Sequence, residues 1–191
     1  LEDRVSAPTV RDARPDDIAP ITAIYAESVA NGLGTFELEP PDQAEMASRL
    51  AAVETLGLPR LVAEIGGRVA GYAYAAPFRT RQAYRYMVED SIYVSPWARG
   101  QGVAGALLDS LIQRCEAMGL RQMVAVIGDS ENLGSIALHR ACGFLDAGVF
   151  KAAGWKHGDW RDVVFMQRAL GQGRNSSPDA PGLPLVDKKP G

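Results

Sequence analysis

The sequence predicts a single α/β domain, and three observations carry that expectation. Stretches with strand and helix periodicity follow one another in the order strand, helix, helix, hairpin, strand, helix, strand, helix, strand. The 191 residues, 47% hydrophobic and 23% charged, suffice for one core without covalent staples. A glycine-rich turn in the middle of the chain, Arg99 to Gly105, links an apolar strand to an amphipathic helix.

Val10 to Ala13 is short and extended. From Pro15 the spacing of Ile18, Ile21, Ile24, Tyr25 and Val29 is helical, with Asp16 and Asp17 suiting the positive end of the helix dipole. Asn31 to Pro41 is a loop carrying Gly32, Gly34 and Phe36. Asp42 and Glu45 have the spacing of a capping box for a second helix through Met46, Leu50 and Val53, ending near Gly57 and Pro59. Leu61 to Ile65 and Val69 to Ala75 flank Gly66-Gly67, a hairpin signal. Pro77 to Tyr86 is a basic, aromatic loop before a strand over Val88 to Val94. Val103, Leu107, Leu108, Leu111, Ile112, Cys115 and Met118 then form one helical stripe, closed by Gly119. Met123 to Ile127 is uniformly apolar, as a buried strand requires. Ile136 to Cys142 predicts a short helix stopped by Gly143. Leu145 to Ala152 and Val163 to Gln167 predict strands joined through Gly154-Trp155-Lys156-His157-Gly158. Beyond Leu170 the composition turns to Gly, Pro, Ser and Asn without periodicity. The expected organisation is an N-terminal extension over 1–8, one domain over 9–170 and a disordered tail over 171–191.

Composition excludes several function classes. A net charge of −3 gives no basic footprint for nucleic acid. No apolar run is long enough for a bilayer and the N-terminus lacks signal-peptide character, so a cytoplasmic protein without membrane association is expected. The two cysteines, Cys115 and Cys142, both fall in helical segments and predict buried thiols. His139 and His157 are the only histidines, and no metal-ligand spacing is present, so no metal site is expected.

The turn at Arg99 to Gly105 is suited to phosphate. Its glycines leave space for a ligand, and the following helix directs free backbone N–H groups and a positive dipole end at it. Gly100-x-Gly102-x-x-Gly105 matches a dinucleotide fingerprint, with Asp129 at the end of the next strand. That site requires its first glycine directly after the strand, whereas Ser95 to Arg99 intervene, and too little chain follows Asp129 for a second nucleotide-binding half. A Walker loop is excluded because no Gly-Lys-Ser/Thr follows.

Arg99-x-x-Gly102-x-Ala104 resembles instead the pyrophosphate loop of the GNAT acyltransferase superfamily. Val88 to Pro96, Ala125 to Gly128, Leu138-His139 followed by Gly143-Phe144, and Ala153 to Asp162 resemble, more narrowly, the phosphinothricin N-acetyltransferase family. The resemblance runs from about Val10 to Leu170. It implies a GNAT-like domain with a mixed central sheet flanked by helices, in which a splayed strand pair binds acyl-CoA. It further implies acetyl-CoA as cosubstrate, a small-molecule amine as acceptor and a homodimer. Phosphinothricin, methionine sulfoximine and methionine sulfone are the implied acceptors, acetylated by direct attack in a ternary complex. An acetyltransferase for another amine, such as a protein N-terminus or a polyamine, and a non-catalytic acyl-CoA sensor are the alternatives.

Glu89 is the candidate base, since strand alternation sets it on one face with Ser91 and Tyr93, and an amine nucleophile must lose a proton. The competing role is a strand-end carboxylate satisfied by a nearby arginine. His139 is the candidate acid or assistant, against a purely structural helical histidine. The resemblance assigns the cosubstrate to the backbone of Ile92, Tyr93 and Val94, to Arg99, Gly100, Gln101, Gly102, Val103, Ala104 and Gly105, and to Asn132 and Ser135. Ile92 to Val94 would also offer N–H groups to the oxyanion. Acceptor binding is assigned to Phe36, Phe78, Arg79, Arg81, Tyr84 and Glu89, with guanidinium groups suited to anionic oxygens. A solvated basic turn and a core phenylalanine are the plainer readings of that set. Trp155, Lys156, His157, Trp160 and Asp162 match the family without an assigned chemistry, and turn or dimer packing is their expected role.

Overall fold

The computed structural model describes residues 7–186. Its elements are β1 (Thr9–Asp12), α1 (Ile18–Asn31), α2 (Gln43–Thr55), β2 (Arg60–Ile65), β3 (Arg68–Pro77), β4 (Met87–Val94), α3 (Val103–Ala117), β5 (Gln122–Gly128), α4 (Leu133–Ala141), β6 (Leu145–Lys156) and β7 (Asp159–Ala169). The strands form one seven-stranded sheet in the order β1-β2-β3-β4-β5-β7-β6. Every neighbouring pair is antiparallel except β4 with β5, which makes the sheet mixed.

Helices cover both faces. The stripe Ile21, Ile24, Tyr25 and Val29 of α1 packs with Met46 and Leu50 of α2 on Val62 and Tyr72. On the opposite face Val103, Leu107, Leu108, Leu111 and Cys115 of α3 sit against Ala73, Val88 and Met123. Each fully buried leucine contributes roughly 1.5–3 kcal/mol, so the stripe of α3 is a principal anchor of that layer. Asp42 Oδ1 accepts from Glu45 N at 2.8 Å, but the Glu45 side chain turns to Arg49, so the expected capping box is half formed.

β4 and β5 pair only from Met87↔Gln122 to Asp90↔Ala125. Beyond that point β4 continues along β3, Tyr93 opposite Tyr72, while β5 continues along β7, Ile127 opposite Val164. A wedge therefore opens between two parallel strands in mid-sheet. Ser95 N donates to Ala70 O and Met87 O accepts from Phe78 N, so the odd-numbered residues of β4 bond to β3. By antiparallel alternation the N–H and C=O of Ile92 and Val94 face the wedge.

Three expectations are corrected. α4 begins at Leu133, three residues before the predicted start, because Asn132 caps it by accepting from Ser135 N. The segment Gly154 to Lys156 is strand, not connector: Gly154, Trp155 and Lys156 pair with Arg161, Trp160 and Asp159. The turn is the two residues His157 (φ 54°) and Gly158 (φ 74°), the left-handed pair that matches strand twist. The third correction concerns the C-terminal segment. Residues 171–186 are irregular yet packed, with Leu183 and Leu185 in the core beside Leu170; 1–6 and 187–191 lie outside the described residues.

Candidate active site

The wedge opens into a cavity of about 320 Å³. Its walls include Glu89 to Tyr93 of β4, Ala125 to Gly128 of β5, Tyr74 of β3, His139 of α4, and Gly34 to Phe36 of the α1–α2 loop. The sheet sends consecutive residues of β4 to opposite faces, so Glu89 lies on the α1/α2 side and Asp90 on the α3/α4 side.

The Glu89 carboxylate is half-buried and accepts no hydrogen bond among the described residues. Burial pushes its pKa up, the neighbouring charge of Asp90 adds to the rise, and Arg79 partly offsets it. No ion pair to Glu89 forms among the described residues, and a raised pKa is compatible with accepting a proton. Tyr74 borders the same space.

His139 is 4% exposed and both ring nitrogens are engaged. Nδ1 donates to Ser135 O at 2.7 Å, which leaves Nε2, 3.0 Å from Asp90 Oδ2, to share a proton with that carboxylate. Burial lowers the imidazole pKa, but the hydrogen bond and charge of Asp90 outweigh it and leave the value raised. Asp90 itself is 7% exposed and its Oδ1 has no partner. His139 thus lines the cavity with its Nε2 held by Asp90, on the face of the sheet opposite Glu89. Asp90 escaped the sequence reading, although alternation already set it opposite Glu89.

The turn before α3 is a cradle of free donors. Gly100 and Gly102 adopt left-handed φ of 76° and 78°. The backbone N–H groups of Gly100, Gly102, Val103, Ala104 and Gly105 donate to no protein atom among the described residues. A Cβ built at Gly100, Gly102 or Gly105 would meet nothing within 4 Å, so packing does not demand these glycines. The Arg99 side chain is 60% exposed and within 3.4 Å of Glu27, while Gln101 Nε2 bonds to Trp97 O. The donors and the absent side chains suit a pyrophosphate. Asn132 is occupied as the cap of α4, and the Ser135 hydroxyl lies 3.4 Å from His139 Nδ1. Neither lines the cavity, and Tyr93 stacks on Tyr72 and meets Tyr25 edge-on.

The expected acceptor residues divide. Phe36 borders the cavity and lies so close to Gly154 that a Cβ there would stand 2.5 Å from its ring. Phe78, Arg79, Arg81 and Tyr84 do not line it. Phe78 stacks edge-on to Tyr84, and Arg79 lies over the Phe78 ring at 4.4 Å, within electrostatic reach of Glu89. Arg81 is exposed at the start of a 3₁₀ turn, Gln82–Tyr84.

Lys156 gains a concrete role. Only 2% exposed, it donates from Nζ to Thr35 O at 2.7 Å, and the adjacent His157 Nε2 lies 3.3 Å from Gly32 O. From the other side Tyr25 Oη bonds to Glu37, which is clamped by Arg49. The β6–β7 turn and the two N-terminal helices thus hold the loop that carries Phe36. Asp162, by contrast, fastens the strand bulge through Lys151, Ser130 and Ala152 N.

A splayed parallel pair, a free-donor turn at the next helix and an unpaired carboxylate on the splayed strand agree with comparison to known proteins. The model of the acetyltransferase (GNAT) family matches residues 25–144. The chain belongs to that family. It is 52% identical over 171 residues to a phosphinothricin N-acetyltransferase of Alcaligenes faecalis, covering 90% of this chain and 87% of the relative. It is 38% identical over 169 residues to an L-methionine sulfoximine/L-methionine sulfone acetyltransferase of Pseudomonas aeruginosa, covering 88% and 98%. Among solved structures, a phosphinothricin acetyltransferase from Sinorhizobium meliloti in complex with acetyl-CoA superposes with a TM-score of 0.90 at 52% identity, covering 94% of this chain and 97% of that one. The GNAT fold expected from the sequence is thereby established, with its single mixed sheet.

Proposed function

We propose that this acetyltransferase transfers the acetyl group of acetyl-CoA to the α-amino group of a small amino acid whose side chain ends in a tetrahedral oxygen-rich group. Phosphinothricin, methionine sulfoximine and methionine sulfone are such acceptors. The observation that carries the reading is the half-buried, unpaired Glu89 in the wall of a wedge, on the strand that leads into the free donors of Gly100 and Gly102 to Gly105. The phosphinothricin and methionine sulfoximine/methionine sulfone acetyltransferases among its relatives support it.

Acetyl-CoA is the acyl donor, its pyrophosphate taken by the Arg99 to Gly105 turn and its arm by the unpaired edge of β4. The amine nitrogen attacks the thioester carbonyl carbon, a C–N bond forms and the C–S bond breaks. Glu89 takes the proton the amine gives up, directly or through water. The N–H groups of Ile92 and Val94 face the wedge, where they stabilise negative charge on the carbonyl oxygen. His139 acts through Asp90, as a positioning residue that fixes α4 to the point where the strands part. Arg79 repels a cationic polyamine and favours an anionic acceptor. No helix among the described residues is long and apolar enough to cross a membrane. Val149, Phe150, Trp155 and Trp160 are exposed on the edge hairpin, which supports a homodimer built on that edge.

The test is release of CoA from acetyl-CoA with methionine sulfone, methionine sulfoximine, phosphinothricin, spermidine and a peptide with a free N-terminus. The three amino acids should accelerate release and spermidine should not. Binding of acetyl-CoA with no acceleration by any amine would mark a sensor, and preference for the peptide would move the acceptor class.

A further inference from the structure

The described part of the C-terminal segment does more than cover the core. Arg121 anchors its beginning, donating to Gly173 O at 3.2 Å, Ser176 Oγ at 3.1 Å and Ser177 O at 2.9 Å. Its later part runs along the loop that follows β3. Tyr86 Oη donates to Ala180 O at 2.8 Å, Leu183 N donates to Arg85 O at 2.8 Å, and Gln82 Nε2 donates to Leu185 O at 3.0 Å. Leu183 and Leu185 are 3% and 8% exposed and belong to the main core cluster. Between them and Ala180, Gly182 has a left-handed φ of 74°, and a Cβ there would stand 2.8 Å from Arg85 O and from the Tyr86 ring.

At its end the loop is joined to the start of β5, where Tyr86 O accepts from Arg121 N at 2.9 Å and from Gln122 N at 3.1 Å. Its own hydrogen bonds are local: Tyr84 N to Arg81 O, Arg85 N to Gln82 O, and Arg79 to the neighbouring Phe78 O. Among the described residues, the hydrogen bonds that tie residues 79–85 to a distant part of the chain run to Leu183 and Leu185. The loop leads into β4 two residues before Glu89 and carries Arg79, whose charge acts on Glu89.

We propose that residues 180–185 are a strap that positions the Arg79–Tyr86 loop and thereby sets the affinity for the acceptor amine, leaving the acetyl-CoA site untouched. This rests on the acceptor role given to that loop above. The physical basis is ordering: a loop fixed before the substrate arrives spends none of the binding energy on becoming fixed. The cradle at Gly100 to Gly105 and the wedge edge of β4 make no hydrogen bond to the strap, so the two substrates should respond differently.

Gly182→Val and Tyr86→Phe test the strap in the full chain. The first drives a side chain into Arg85 O and the Tyr86 ring; the second removes one hydrogen bond and keeps the ring. With methionine sulfone as acceptor, Gly182→Val should raise the amine KM by about fivefold or more and Tyr86→Phe by about twofold, with the KM for acetyl-CoA unchanged, as expected for lost preorganisation. An unchanged amine KM with a lowered melting temperature would reduce the strap to a stabilising element, and a parallel rise of both KM values would show general loosening. Either outcome overturns the proposal. If the wild type leaves methionine sulfone unreacted, the substrate reading fails separately, and hydrogen–deuterium exchange decides the strap. Gly182→Val should then speed exchange in residues 79–86 and leave 122–128 unchanged; equal exchange in 79–86 would overturn it.

Discussion

The two halves of the site are built by different means. On the proposed reading the donor half consists of backbone: the unpaired edge of β4 at Ile92 and Val94, and the free N–H groups of Gly100 and of Gly102 to Gly105. On the same reading the acceptor half consists of loops fastened by parts of the chain distant in sequence. Lys156 grips the Gly32–Glu37 loop, and residues 180–185 lie along the Arg79–Tyr86 loop. A site for a constant cosubstrate can be written into strand pairing and helix ends. A site for a variable acceptor is set on loops whose fasteners are far away in sequence.

The largest effect that would break this contrast is at Glu89. Glu89→Gln keeps the size of the side chain and removes its basicity, so steady-state CoA release should fall by about 10²–10⁴-fold. In the wild type the base must be ionised, and burial raises its pKa, so kcat/KM should fall with decreasing pH at a midpoint above the ordinary carboxylate value of 4.5. Glu89→Gln should lose that limb.

Next in size is the pair on the opposite face. Asp90→Ala leaves His139 buried without its partner and should cost about 3–5 kcal/mol, read from urea unfolding. The sign of the pH dependence is fixed by the raised imidazole pKa. Extra stability is complete below the ordinary value of 6.5 and is lost as pH rises through the folded-state value. Asp90→Ala should flatten this slope.

Lys156→Met should act on the acceptor half alone. It removes the donor to Thr35 O without emptying the space, and the amine KM should rise by about tenfold while the acetyl-CoA KM stays constant. The smallest effect sharpens the donor half. Gly105 lies in the first turn of α3 with nothing within 4 Å of a built Cβ, so Gly105→Ala should stabilise the fold by up to about 1 kcal/mol. The same methyl group stands where phosphate approaches and should weaken acetyl-CoA binding in a titration. Stability and affinity would then move in opposite directions.

This division also explains what could be foreseen. The donor half was legible because it rests on local rules: alternation along Val88 to Val94, glycines with positive φ, and a helix beginning at Val103. The placement of Glu89 on one face of β4 with Ser91 and Tyr93 was legible through the same alternation. The His139–Asp90 pair spans 49 positions and the Lys156–Thr35 bond spans 121, distances at which no periodicity carries information. Gly154 suggested a break in the strand because glycine weakens strands, yet it is there to admit the Phe36 ring. The C-terminal segment suggested disorder by composition. Its described part, residues 171–186, is marked by two buried leucines and by positive φ at Gly171, Gly173 and Gly182, too sparse to register as a pattern. Arg81 had the right chemistry for an anion but sits on the exposed side of its turn.

The most direct test of the separation is titration of acetyl-CoA into a protein carrying both Glu89→Gln and Lys156→Met. If the donor site is backbone alone, Kd should equal that of the wild type although turnover has collapsed. A Kd raised in step with the loss of turnover would contradict the account.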